Sequence, residues 1–243
     1  MKHIWLILRF FSEEQYADDF LNGKLYMNRL SYFQKQEEEC TDGRADSTEA
    51  IKMWFQPHDI SLSLNIPGIG SAKIGPADLA GPMSFTSGTA SYLHVLCTYA
   101  IYTTETSAID QIDEQRPKLI EELKRKFTVD QRCLKLGPFA VIVPAHPFLT
   151  QMQHELRSQK YRFNAKLVDY YDDTTFHGEI PDSEVPFRKQ VRFAYQNEYR
   201  LAVDPILLSD DAISINIGSI ADIGAKKVKS SNINALLSSA VIE

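Results

Sequence analysis

The segment from Ile4 to Asn28 constrains the fold more tightly than any other part of the chain. Ile4 to Phe10 reads as a buried strand. Ser12 stands where a helix N-cap is expected, and Gln15 follows three residues later, the spacing of a capping box. Phe11 before the cap and Tyr16 beyond it suit a hydrophobic staple. Tyr16, Ala17, Phe20 and Leu21 recur on one face of a short helix, and Gly23 supplies the left-handed residue that stops it. Leu25 to Asn28 then reads as a second strand. The chain therefore opens strand, short helix, glycine stop, strand.

Beyond this unit, strands dominate. Residues 60–64, Leu93 to Tyr102, Phe139 to Val143, Phe163 to Tyr171, Val191 to Asp204 and Ile213 to Ile217 carry the β-branched and aromatic enrichment of strands. Pro117 to Phe127 and Pro147 to Arg157 have helical apolar spacing, and Pro117 suits a first helical turn. Ile223 to Ile242 reads as a short strand and helix. Pro67 to Pro82 is rich in glycine and proline and reads as a loop, as does the stretch around Ser84. Glu37 to Glu49 is polar and acidic, a surface segment. Helices fall between strands without a regular βαβ period, so the expected class is α+β rather than a doubly wound parallel sheet. No internal repeat or linker divides the chain, and one domain over 1–243 is expected.

Composition removes several classes of function. A chain of 243 residues can bury a full core without staples. A formal net charge of −6 argues against a protein that coats nucleic acid or lies on anionic lipid. Three cysteines, Cys40, Cys97 and Cys133, are too few and too scattered for a disulfide framework or a C-x-x-C zinc site. Arg9 interrupts the N-terminal apolar run, so it reads as a strand rather than a signal peptide. No stretch approaches the ~20 apolar residues of a membrane span. A soluble, cytoplasmic protein is expected.

The most chemically suggestive stretch runs from Arg192 to Val203. Read as one strand, it places Gln196 and Glu198 on the same face, with Arg192, Ala194 and Arg200, because side chains alternate. The plainest interpretation is a half-exposed face with loose ion pairs worth under ~1 kcal/mol each. Yet Gln196-Asn197-Glu198 resembles the Gln-x-Glu motif of ADP-ribosyltransferases. The resemblance implies mostly antiparallel mixed sheets around a cleft with peripheral helices, with NAD as the substrate and no metal. It makes Glu198 the catalytic carboxylate beside the developing oxocarbenium ion, a site where fixed charge favours the transition state. Gln196, two residues earlier, would orient the acceptor.

The opening unit resembles the first segment of the same family, whose first strand carries an NAD-holding Arg or His. Arg9 is the matching position, and a guanidinium suits phosphate or ribose contacts. For the family's middle strand the corresponding residues are Thr98 and Tyr99, with Tyr99 placed to stack on nicotinamide. Ser84 to Ser87 is a fainter echo. The acceptor implied is a macromolecule, protein or nucleic acid. The whole chain is also similar to a loose group of uncharacterised bacterial proteins. That likeness rests on Gly23 to Asn28, on Arg44, Asp46 and Glu49, and on Tyr195 to Arg200. It implies a toxin or phage-defence setting and a neutralising antitoxin partner.

Two other classes stay open. Glu37, Glu38, Glu39, Asp42, Asp46 and Glu49 are crowded enough for a Mg²⁺-dependent nuclease or hydrolase. A non-enzymatic binding or immunity protein is the other. His146 and His154 lack metal-ligand spacing, and Gly68-x-Gly70 lacks the Rossmann continuation, so NAD would bind in a different manner.

Overall fold

A computed structural model describes residues 2–35, 46–104, 124–204 and 211–240. It is a mixed α+β structure in which every strand pairing but one is antiparallel.

The opening unit forms largely as the sequence predicts. Strand β1 (Lys2–Phe11) leads to helix α1 (Glu14–Leu21), then β2 (Lys24–Arg29) and a short helix α2 (Leu30–Lys35). Gly23 has φ +88°, and a Cβ there would meet the Gly218 carbonyl oxygen at 1.9 Å. Glycine is needed twice over, for the left-handed turn and for the close approach. The cap at the other end differs from expectation. The N-cap position is Glu13, without a side-chain cap, and Gln15 donates to Asp19 at 3.2 Å instead of reaching back. Ser12 lies one residue too early to cap. Ser12→Ala is therefore expected to leave the unfolding free energy within about 0.5 kcal/mol of the parent, as checked by urea denaturation.

The large sheet is organised around the longest strand, β7 (His94–Thr104). Between β2 and β7 lie β3 (Ile51–Phe55), a β4–β5 hairpin (Leu62–Ile66, Gly70–Ile74) and β6 (Met83–Thr86). The Pro67–Pro82 stretch is thus partly a hairpin, its turn built on the positive φ of Gly68 and Gly70. The Ser84 stretch is likewise a strand, held on β3. After β7 come α3 (Gln131–Leu134), β8 (Phe139–Pro144), α4 (Ala145–Ser158), β9 (Phe163–Leu167), β10 (Asp169–Tyr171), β11 (Gly178–Glu179), β12 (Arg188–Gln190), β13 (Glu198–Val203), β14 (Ile213–Asn216), β15 (Lys226–Lys229) and α5 (Ile233–Ala240). The Pro117–Phe127 helix lies mostly outside the described residues. In α4, Ala145, Phe148, Met152 and Leu156 recur on one buried stripe and seal the sheet's core against β1 and β8.

One topological feature positions everything that follows. Along one edge, β7 pairs with β13 from His94 to Tyr99. Along the other edge it has two partners. β1 pairs with Tyr99 to Thr104, and β2 pairs only with His94 and Val95. Among the described residues, no strand faces Leu96, Cys97 and Thr98 on that side. The sheet is split there, and β1 and β2 diverge around the opening.

Candidate functional site

The split is the mouth of a cavity of about 620 Å³. That lies inside the ~300–1,000 Å³ range of small-molecule and cofactor sites. Arg9, Thr98, Tyr99, Gln196 and Glu198 all line it. Residues from both ends of the chain and its middle therefore meet in one concave space, although each reaches it differently.

Arg9 lies over the rings of Phe20 and Phe11 at 5.4 and 5.6 Å, and its Nη2 donates to the Tyr26 carbonyl at 3.0 Å. It bridges β1 to β2 across the opening. Tyr99 is only 5% exposed, and its hydroxyl accepts from Asn197 Nδ2 at 3.1 Å. A ring so buried is part of the cavity wall. The Thr98 hydroxyl donates to the Tyr199 carbonyl at 2.8 Å and belongs to the strand.

The expected strand from Val191 begins only at Glu198. Residues 191–196 form a 3-10 helix, and Asn197 sits at φ 39°, ψ 47°. Asparagine tolerates the left-handed region better than most residues. Gln196 and Glu198 consequently do not converge by strand alternation. They converge on Lys189. Its ammonium donates to Gln196 Oε1 at 2.8 Å and to Glu198 Oε2 at 3.2 Å, with Glu49 Oε1 at 3.5 Å. The tight turn after β12 brings residues seven apart into contact.

Glu198 is not the wet carboxylate expected of a half-exposed strand. It is 4% exposed, and its partner Arg200 is fully buried. Arg200 Nε donates to Glu198 Oε1 at 2.7 Å, while Nη1 and Nη2 grip both oxygens of Glu49 at 2.8 and 2.7 Å. Nη1 also donates to the Pro186 carbonyl at 2.7 Å. Glu198 and Arg200 face the same side because they are two apart on β13, opposite Tyr99 and Cys97 of β7. The core of the site is thus two carboxylates, Glu49 and Glu198, balanced by two cations, Lys189 and Arg200.

Burial pushes the Glu198 carboxyl upward, but Arg200 and Lys189 outweigh it and hold the pKa down at about 2. The group is therefore ionised throughout the physiological range. A folded-state pKa below the ordinary 4.5 means stability that is fully present above about 4.5 and lost as pH falls towards 2. Chemical unfolding followed from pH 6 downward is expected to show this loss, and Glu198→Gln is expected to flatten it. Burial, then the Glu198 charge, push the Cys97 thiol up to about 12, so Cys97 stays a neutral thiol at the cavity wall.

The acidic segment also departs from expectation. Asp46 and Glu49 are buried, not surface residues. Asp46 Oδ1 accepts from the Thr48 amide at 2.9 Å and lies 4.0 Å from Arg192, and burial together with Glu49 raises its pKa. Glu37, Glu38, Glu39 and Asp42 lie outside the described residues. Among the described residues, no cluster of three or more His, Cys, Asp or Glu is disposed to hold a metal ion. No helix among them is long and apolar enough to cross a membrane.

Lys189 and Cys97 escaped the functional reading of the sequence, and Lys189 carries no motif at all. Glu49 entered it as a candidate metal ligand and as part of the bacterial resemblance, but not as a partner of Arg200 and Lys189. No family model, curated protein or solved structure matches this chain.

Proposed function

We propose that this chain is an NAD-dependent ADP-ribosyltransferase whose substrate occupies the cavity at the split between β1 and β2. The supporting observation is the meeting of Arg9, Gln196 and Glu198 in that single cavity. Glu198 is the catalytic carboxylate. As the ribose–nicotinamide C–N bond breaks, its electron pair leaves with nicotinamide and positive charge develops on the ribose. A carboxylate already ionised and fixed by Arg200 and Lys189 needs no reorganisation to meet that charge. An acceptor nucleophile then bonds to the ribose carbon and loses its proton to solvent. Gln196, held by Lys189, lies on the acceptor side, and Arg9 holds the nucleotide. By its Gln-x-Glu form, the reading favours a macromolecular acceptor, protein or nucleic acid. The bacterial resemblance adds a toxin or phage-defence role restrained by an antitoxin partner.

The test is incubation with NAD labelled in its adenylate moiety in cell extract. Label is expected in a macromolecular fraction with release of nicotinamide, and EDTA is expected to leave it undiminished. Transfer abolished by chelation would favour the metal-dependent alternative.

A second reading rests on the charge balance of the site. Both Glu198 oxygens are engaged by cations, as in a purely structural ion-pair core. On that reading the cavity belongs to a non-enzymatic binding protein. It would retain a ligand without releasing nicotinamide, which the same experiment detects.

A further inference from the structure

Among the described residues, the large sheet ends in three outer strands, β14, β15 and β9. Exposed edges invite foreign strands, and proteins guard them with charge, proline or cover. β15 carries Lys226, Lys227 and Lys229 within four residues. On β14, Gln159 Nε2, just past α4, donates to the Asn216 carbonyl at 2.8 Å. β9 has neither guard, and its one charged side chain, Lys166, is held by Glu184. Two bonds bracket its ladder with β13: the Asp204 N–H to the Arg162 carbonyl at 2.9 Å, and the Val168 N–H to the Glu198 carbonyl at 2.8 Å. By antiparallel alternation, Asn164 and Lys166 also direct their peptide groups to β13, while Phe163, Ala165 and Leu167 direct theirs outward. Among the described residues, no strand pairs with that outer edge. Phe163 and Ala165 line a second cavity of about 490 Å³, whose charged lining residues are Arg157 and Arg162.

We propose that β9 is a docking edge for an extended, acidic segment of a partner protein, which adds to the sheet as a strand. Outward N–H and C=O groups recur along the edge at Phe163, Ala165 and Leu167, and a polypeptide backbone answers both kinds at that spacing. A nucleic-acid backbone offers phosphate acceptors and leaves the carbonyls unmatched. Charge selects the sequence of the added strand. Arg157 lies over the Phe163 ring at 6.0 Å, and its Nη2 makes one long bond, 3.4 Å, to Gln153. The Arg162 side chain is 84% exposed and meets Asp204 at 3.2 Å. Both guanidiniums therefore retain N–H donors for an incoming carboxylate. A second copy of this chain would bring the same two arginines to the groove, so like charges disfavour self-pairing. The proposal stands apart from the NAD reading, since it needs only the edge and the two arginines.

The test titrates the ¹⁵N-labelled full chain with a short, end-capped peptide of alternating glutamate and valine. A lysine–valine peptide and an oligothymidylate serve as comparisons. Saturable shifts of the Phe163, Ala165 and Leu167 amides are expected, with new protection from hydrogen exchange. Exchange at Asn164 and Lys166, which already face β13, is expected to change little. Reversing both charges, Arg157→Glu with Arg162→Glu, is expected to weaken the glutamate peptide about 10-fold and to favour the lysine peptide. Ala165→Pro deletes one outward N–H, leaves the β13 ladder its own bonds, and is expected to abolish the protection in a folded protein. If Ala165→Pro does not fold, the charge reversal decides. No shift at β9 with the glutamate peptide, equal binding of the lysine peptide, or the same shifts with oligothymidylate would overturn the proposal. So would concentration-dependent protection of these amides without peptide, the mark of a second copy.

Discussion

Replacing Arg200 with methionine is expected to lower the unfolding free energy by about 3–5 kcal/mol, enough to threaten folding at 37 °C. The guanidinium makes four hydrogen bonds while fully buried, three to carboxylate oxygens of Glu49 and Glu198 and one to the Pro186 carbonyl. Methionine fills a similar volume but strands two buried carboxylates, and Lys189 can satisfy only part of their charge. Arg200→Lys is expected to recover little, because an ammonium cannot grip Glu49 with two parallel bonds and reach Glu198 as well. The double variant Arg200→Met with Glu49→Gln is expected to be less damaged than the sum of the single changes, since it removes one of the stranded charges. Urea unfolding with an unchanged m-value would measure these differences. A loss below about 1 kcal/mol for Arg200→Met would show that the carboxylates find other partners and that the network is not the keystone of this face.

How far the sequence revealed this site depended on how local each cause was. The β1–α1–β2 unit was legible because a short apolar run, a helical stripe and a left-handed glycine act within a few residues. Its errors were the Ser12 cap, displaced by a helix start that places Glu13 at the N-cap, and Tyr16, which is exposed rather than part of the packed face. Alternation along β13 correctly put Glu198 and Arg200 on one face. It failed at Gln196, because the 3-10 helix and the left-handed Asn197 replace strand geometry just before the motif. Burial was the largest misreading. Acidic residues at 46 and 49 look solvated unless their cations are visible, and those cations lie at 189, 192 and 200. Pairings that span such distances are tertiary facts with no local signature. The split in the sheet is likewise invisible from sequence, since it depends on β1 and β2 sharing one edge of β7.

Glu198→Gln is expected to have the largest effect on rate. The amide keeps the shape of the side chain and can still accept a hydrogen bond, but it removes the charge that meets the ribosyl cation. Loss of one preorganised electrostatic group of this kind typically costs ~10²-fold or more in rate. The protein is also expected to lose about 1–3 kcal/mol of stability, because Arg200 and Lys189 are left short of a buried partner. The rate therefore has to be read on protein shown by circular dichroism to be folded at the assay temperature. NAD affinity is expected to fall much less than the rate, since the carboxylate acts mainly on charge that exists in the transition state.

The most direct measurement is single-turnover release of nicotinamide from NAD by wild type and by folded Glu198→Gln, with dissociation constants determined on the same samples. The expected result is release by the wild type and a rate at least ~10²-fold slower in the variant at saturating NAD. A folded Glu198→Gln protein that binds NAD and releases nicotinamide at the wild-type rate would contradict the catalytic assignment of Glu198, leaving the charged core as a structural device.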